Sequence, residues 1–111
     1  MIVVSRFHVE PEDPQDPGAT EFRRGLEHAL ALLAAKPGYL DGEIGRNVDD
    51  PALWTLVTRW ANPGSYRRAL SAYDVKLEAL PLLYRAIDEP SAYEVVRPGG
   101  DLNRVESRSL D

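Results

Sequence analysis

A chain of 111 residues suits one domain with one modest core, burying roughly 65% of the surface its unfolded form would expose. Hydrophobic residues make up 43%, which argues against disorder of the whole, and a net charge of −5 with no run of Lys or Arg argues against nucleic acid as the main partner. The absence of cysteine excludes disulfides, thiol catalysis and Cys-ligated metals; with no signal-peptide pattern at the start and no apolar run near the ~20 residues of a membrane helix, a cytoplasmic protein is the expectation.

Ile2 to Val9 reads as the first strand, with Ile2, Val4, Arg6 and His8 on one face and Val3, Ser5, Phe7 and Val9 on the other. Apolar side chains on both faces predict a sheet covered on both sides. Glu10 to Gly18 is acidic and carries three prolines, so it is expected to be a solvated loop, without the ordered ligand spacing a calcium site needs. Thr20 to Lys36 has apolar residues at Phe22, Leu26, Ala29, Leu30 and Leu33, the period of an amphipathic helix, with His28 on its solvent side. Pro37-Gly38 ends that helix, because glycine just past a helix is a stop signal. Tyr39 to Val48 follows as a strand, and its Gly42 and Gly45 are expected to mark a bulge or bend.

Asn47 to Ala52 predicts a hairpin turn, so Leu53 to Trp60 pairs antiparallel with the preceding strand. Alternation places Trp54, Leu56, Thr58 and Trp60 on one face and Leu53, Thr55, Val57 and Arg59 on the other. Asn62-Pro63 then starts a second helix, Asn as N-cap and Pro at the first helical position, whose N–H has no intrahelical acceptor anyway. That helix is expected to run to about Tyr73 with Tyr66, Ala69, Leu70 and Tyr73 on one stripe. A further apolar segment, Val75 to Ile87, is broken near Leu80 by Pro81. Tyr93 to Val96 is the last strand, after Glu89-Pro90-Ser91, and Arg97 to Asp111 is polar.

The element order predicts an α+β, ferredoxin-like βαββαβ domain over residues 1–97, a four-stranded antiparallel sheet with both helices on one face, and a C-terminal tail or arm over 98–111. The helix-free face carries Ile2, Val4, Leu53 and Val57, and so much bare apolar sheet predicts a homodimer packed through that face. The aromatic group where the Trp strand meets the second helix is either the core or the wall of a pocket.

Two stretches add to this pattern: Pro37-Gly38-Tyr39-Leu40 after the first helix, and Val57-Thr58-Arg59-Trp60-Ala61-Asn62-Pro63 leading to Tyr66. On these, roughly residues 2–97 resemble the antibiotic biosynthesis monooxygenase family of the dimeric α+β-barrel superfamily. The resemblance implies a pocket between the sheet and the second helix of each subunit. Some members of the family oxidise phenolic polyketides or quinols with O₂ and no cofactor, some degrade haem, and others have no known catalytic role. The haem branch needs an axial His on the second helix, and Pro63 to Ser91 contains none, so haem is disfavoured.

For a cofactor-independent oxidation the resemblance implies Trp60, Tyr66 and Tyr73 as the catalytic group, Trp60 stacking on an aromatic substrate and the two phenols bonding its oxygen. Ser5, Phe7, Leu56, Thr58 and Leu70 would complete the binding wall, with no cofactor and no metal. Some oxidising members place an Asn where this chain has Leu56, a departure that removes an anion-stabilising donor. The alternative is a non-catalytic dimeric binding or accessory domain of the same fold.

Overall fold

The computed structural model describes residues 1–10 and 12–103. Residue 11, in the expected acidic loop, and residues 104–111, in the expected tail, lie outside the described residues. The elements are β1 (Ile2–His8), α1 (Pro17–Ala34), β2 (Tyr39–Arg46), β3 (Leu53–Trp60), α2 (Pro63–Ser71), α3 (Tyr73–Glu78), α4 (Leu80–Leu83) and β4 (Ala92–Tyr93). The strands form one sheet in the order β2-β3-β1-β4, every neighbouring pair antiparallel. This is the ferredoxin-like arrangement: β3 is inserted between the two strands that α1 connects.

Register fixes which side chains meet. Phe7 lies opposite Trp54, Ser5 opposite Leu56 and Val3 opposite Thr58. These pairs form the helix-covered face, where Val3, Phe7, Trp54, Leu56, Thr58 and Trp60 are buried. Ile2, Val4, Leu53 and Val57 on the opposite face are half-buried, as the alternation predicts. The apolar stripe Ala19, Phe22, Leu26, Ala29 and Leu33 presses α1 onto the sheet.

Both helix starts follow their caps. Asn62 Oδ1 accepts from the Ser65 N–H at 2.8 Å and from the Ser65 hydroxyl at 3.0 Å. Helix α1 begins at Pro17, three residues before the expected Thr20, because Asp16 accepts from the Gly18 N–H at 2.8 Å and Pro is tolerated at the first helical position. The Pro-Gly-Tyr step has a steric reason. Gly38 sits at φ 89°, and a Cβ there would lie 2.2 Å from Ser65 Oγ, so only glycine lets β2 start against α2.

Three expectations need correcting. The β2 bulge is not at a glycine: Leu40 is the unpaired residue between the Tyr39–Trp60 and Asp41–Arg59 pairs. Gly42 has another role, since a Cβ there would lie 2.7 Å from the Tyr39 hydroxyl and 2.9 Å from Val57 O. Helix α2 stops at Ser71, because Ala72 turns extended at ψ 140° before α3 begins. Strand β4 spans Ala92–Tyr93 rather than Tyr93 to Val96. Tyr93 already pairs with Ile2, and the next position on the β1 side, Met1, has its amine and carbonyl bonded to Trp60, each at 2.9 Å. The ladder therefore has no free partner beyond Tyr93.

Candidate functional site

A cavity of about 220 Å³ lies between the sheet and the helices. Its floor is Val3, Val4 and Ser5 of β1 with Leu56 and Thr58 of β3. Tyr66 and Leu70 of α2, Leu80 and Leu83 of α4, and Leu33 of α1 cover it. Tyr84, Ala86, Ile87, Glu89 and Ser91 complete the lining on the stretch that returns to β1. The gap exists because the helical cover is broken at Ala72 and again at Ala79, where Pro81 restarts the chain in a single turn.

Of the sequence-predicted residues, Ser5, Leu56, Thr58, Tyr66 and Leu70 come together around this cavity. Three do not line it. Phe7 lies at the other end of the sheet, edge-on to Phe22 with ring centroids 5.4 Å apart. Tyr73 is 79% exposed, because the extended Ala72 turns α3 away from the α2 stripe. Trp60 is 1% exposed and stands behind the lining, 5.5 Å from the Tyr66 ring and 5.5 Å from Tyr39.

Trp60 lies off the cavity, and its indole instead contacts Thr58. Its indole N–H donates to Thr58 Oγ1 at 2.9 Å. A hydroxyl that has accepted keeps its own hydrogen free to donate. Thr58 is buried and lines the cavity, and its hydroxyl hydrogen has no acceptor among the described residues. Burial raises the pKa of the Tyr66 phenol, so at neutral pH it is a neutral donor rather than a phenolate. Thr58 and Tyr66 thus bring two hydroxyl donors to the cavity, alongside the polar side chains of Ser5, Tyr84, Glu89 and Ser91.

Sequence reasoning missed the charged group of the lining, Glu89, which it read only as the approach to the last strand. Arg6 grips it bidentately, Nε to Oε2 and Nη2 to Oε1, each at 2.6 Å. The Arg6 hydrogen bond, with its charge, holds the Glu89 carboxyl below the usual carboxylate range. No local signal joins residues 83 positions apart. A larger hollow of about 490 Å³ lies on the other side of Tyr66, between Met1, Asn62, Arg67, Tyr93, Glu94 and Asp101. Among the described residues no cluster of three His, Asp or Glu side chains is placed to hold a metal, and no helix is long and apolar enough to cross a membrane.

This is a small ferredoxin-like α+β domain with a hydroxyl-lined cavity under its second helix. A model of the family described as antibiotic biosynthesis monooxygenase matches residues 1–76, and the chain belongs to that family. No curated protein matches it by sequence. Among solved structures it is similar to SnoaB, a cofactor-independent oxygenase from Streptomyces nogalater, at 22% identity and a TM-score of 0.68, covering 87% of this chain and 92% of that one. It is also similar to a provisionally named antibiotic biosynthesis monooxygenase from Deinococcus radiodurans, at 17% identity and a TM-score of 0.66, covering 96% and 99%. A conserved protein from Methanosarcina mazei matches at 21% identity and a TM-score of 0.63, covering 82% and 84%. At such identities these likenesses speak for the fold.

Proposed function

We propose that this protein is a cofactor-independent monooxygenase acting on an aromatic, quinol-type molecule held in the cavity beneath Tyr66. The observation that carries the reading is the pair of free hydroxyl donors, Thr58 oriented by Trp60 and Tyr66 kept neutral by burial, on one cavity whose other walls are mostly apolar. Such donors suit the oxygen of a phenol or ketone as it gains negative charge. The substrate loses a proton to water at the cavity mouth and passes an electron to O₂. In the balanced reaction a phenol becomes a quinone: one oxygen atom enters the ring carbon para to the hydroxyl, and the other leaves as water with that carbon's hydrogen and the hydroxyl's. The substrate supplies the electrons, so no external reductant is required.

Size narrows the substrate. An apolar cavity of ~150 Å³ holds a benzene ring, so 220 Å³ favours one or two rings over a larger polyketide. The second reading, a non-catalytic binding domain, is favoured by Leu56, an apolar side chain where the resemblance to oxidising members implies Asn, and by a volume under the ~300 Å³ where small-molecule sites usually begin. In both readings the protein is a homodimer packed through Ile2, Val4, Leu53 and Val57. A hollow of about 360 Å³ on that face, between Val4, Leu53 and Val57, is a place for the partner's side chains.

The test is O₂ uptake by the purified protein with a panel of one- and two-ring phenols and hydroquinones. We expect uptake above the uncatalysed rate, and a fall of at least about tenfold in Tyr66→Phe, the loss of one hydrogen bond to a charged oxygen. Uptake no faster than the buffer blank for every compound would leave the binding-domain reading.

A further inference from the structure

The edge of the sheet beside the cavity has a local arrangement that the oxidation reading does not use. Arg6 belongs to the helix-free face, yet its partner Glu89 lines the cavity on the other side. The side chain can pass around the edge because β4 pairs only with Ile2 and Val3, so that at Arg6, which pairs with Thr55 of β3, the other side of β1 carries no strand. The returning chain is pinned on both sides of Glu89: the Ile87 N–H donates to Arg6 O at 2.8 Å, and the Val4 N–H to Ser91 O at 2.7 Å. Glu89 is thus fixed by its own chain and by a two-point grip on its carboxylate.

That carboxylate is an acceptor with capacity left over. Each oxygen takes one hydrogen bond from Arg6 and keeps a second lone pair. Ser5, Thr58, Tyr66 and Ser91 bring hydroxyls to the same lining, and no Lys, Arg or His lines the cavity among the described residues. Arg6 is the nearby cation; its Nε–Nη2 edge is taken by Glu89, and its charge is already paired there. A carboxylate entering this space would lose its water, meet a like charge and find no counter-ion. A neutral hydroxyl would lose little and find an acceptor.

We propose that Glu89, positioned by Arg6, sets the ligand polarity of the cavity: it accepts a hydrogen bond from the hydroxyl of a neutral aromatic and turns away aromatic carboxylates. The proposal rests on the cavity being a ligand site, as in the reading above, and not on any oxidation taking place there. The Arg6 contact keeps the carboxyl ionised at mildly acidic pH, so the preference persists there.

Calorimetric titration of the full chain under anaerobic conditions tests it, with 2,7-dihydroxynaphthalene and 6-hydroxy-2-naphthoate as probes. In the wild type the diol should bind at least about tenfold more tightly than the acid, the value of one well-placed charged hydrogen bond. Glu89→Gln should reduce that ratio by about the same factor. Arg6→Gln, which frees Glu89 without removing it, should weaken the diol. Near-ultraviolet circular dichroism establishes that each variant is folded, and the wild-type ratio tests the idea without any variant. Equal affinity for the two probes, no binding of either, or a folded Glu89→Gln that discriminates as the wild type does would each overturn it. A clear preference without O₂ uptake would sink the oxygenase reading alone. Uptake with no preference would sink this proposal alone.

Discussion

The two ends of the helix-covered sheet face carry the same kinds of side chain and end differently. At the start of β3, Phe7, Phe22 and Trp54 stack edge to face, with centroids 5.4 and 5.9 Å apart. The Arg85 guanidinium lies 5.2 Å from the Phe22 ring, and Arg46 lies 5.9 Å from Trp54. At the end of β3, Tyr39, Trp60 and Tyr66 are just as closely spaced, yet a hollow lies beside them. The difference is in the cover. The first end lies under α1, one uninterrupted helix of 18 residues, whereas the second lies under helices of 9, 6 and 4 residues. A short helix cannot bring a full stripe to bear on the sheet, and the seams between short helices leave the cavity open. Aromatic content does not separate core from site here; continuity of the opposing helix does.

The sharpest way to break the comparison is at the solid end. Phe22→Ala should cost about 3–5 kcal/mol in urea unfolding, the usual range for a buried Phe, while ligand affinity per folded molecule stays unchanged. Thr58→Val comes next. It keeps the shape but leaves the Trp60 N–H buried without its acceptor, a loss of about 1–3 kcal/mol that Thr58→Ser should largely restore. Equal unfolding midpoints for the valine variant and the wild type would show that the indole finds another partner. Tyr66→Phe should shift stability by no more than about 0.5 kcal/mol, because the phenol bonds to no described residue, so a loss of O₂ uptake in that variant reports on the site and not on the fold.

The smallest effect lies in the cover itself. Lys36 Nζ bonds both oxygens of Asp74, each at 2.8 Å, tying the end of α1 to α3. This hydrogen bond holds the Asp74 carboxyl below its ordinary 3.8. A lowered folded value means stability that is present above 3.8 and lost as pH falls through the folded value. Asp74→Asn should therefore flatten the acid limb of the melting curve slightly and change nothing at pH 7 beyond the loss of the ion pair itself. An unchanged acid limb would show that the tie is too exposed to matter.

Much of the fold was legible because it rests on short-range rules. The alternation of β3 sorted eight residues onto two faces, and Asn62-Pro63 announced a helix that the structure caps as expected. The site was legible in part. Ser5, Leu56, Thr58, Tyr66 and Leu70 follow from strand alternation and the first turns of α2. Tyr73 lies away from the cavity because seven residues on a continuous helix return to one face, and this helix is not continuous at Ala72. Phe7 shares its face with Ser5, and alternation says nothing about which end of a face is solid. Trp60 was given a ligand to stack on because its spacing is that of a wall, while its hydrogen bond to Thr58 draws it into the layer behind. Glu89 was invisible: its role depends on a side chain that rounds the sheet edge from the opposite end of the chain.

Tyr66 lines both the 220 Å³ cavity and the 490 Å³ hollow on its far side. The two spaces are neighbouring rooms with one phenol ring as the party wall. Removing the hydroxyl and removing the ring are then different operations. Tyr66→Phe keeps the wall and silences a donor, whereas Tyr66→Ala opens one room into the other and brings Arg67, Tyr93 and Asp101 within reach of whatever occupies the first. If the cavity holds a ligand as proposed, Tyr66, the one residue that lines both spaces, is where a single substitution would extend its reach while the sheet and its helices stay as they are.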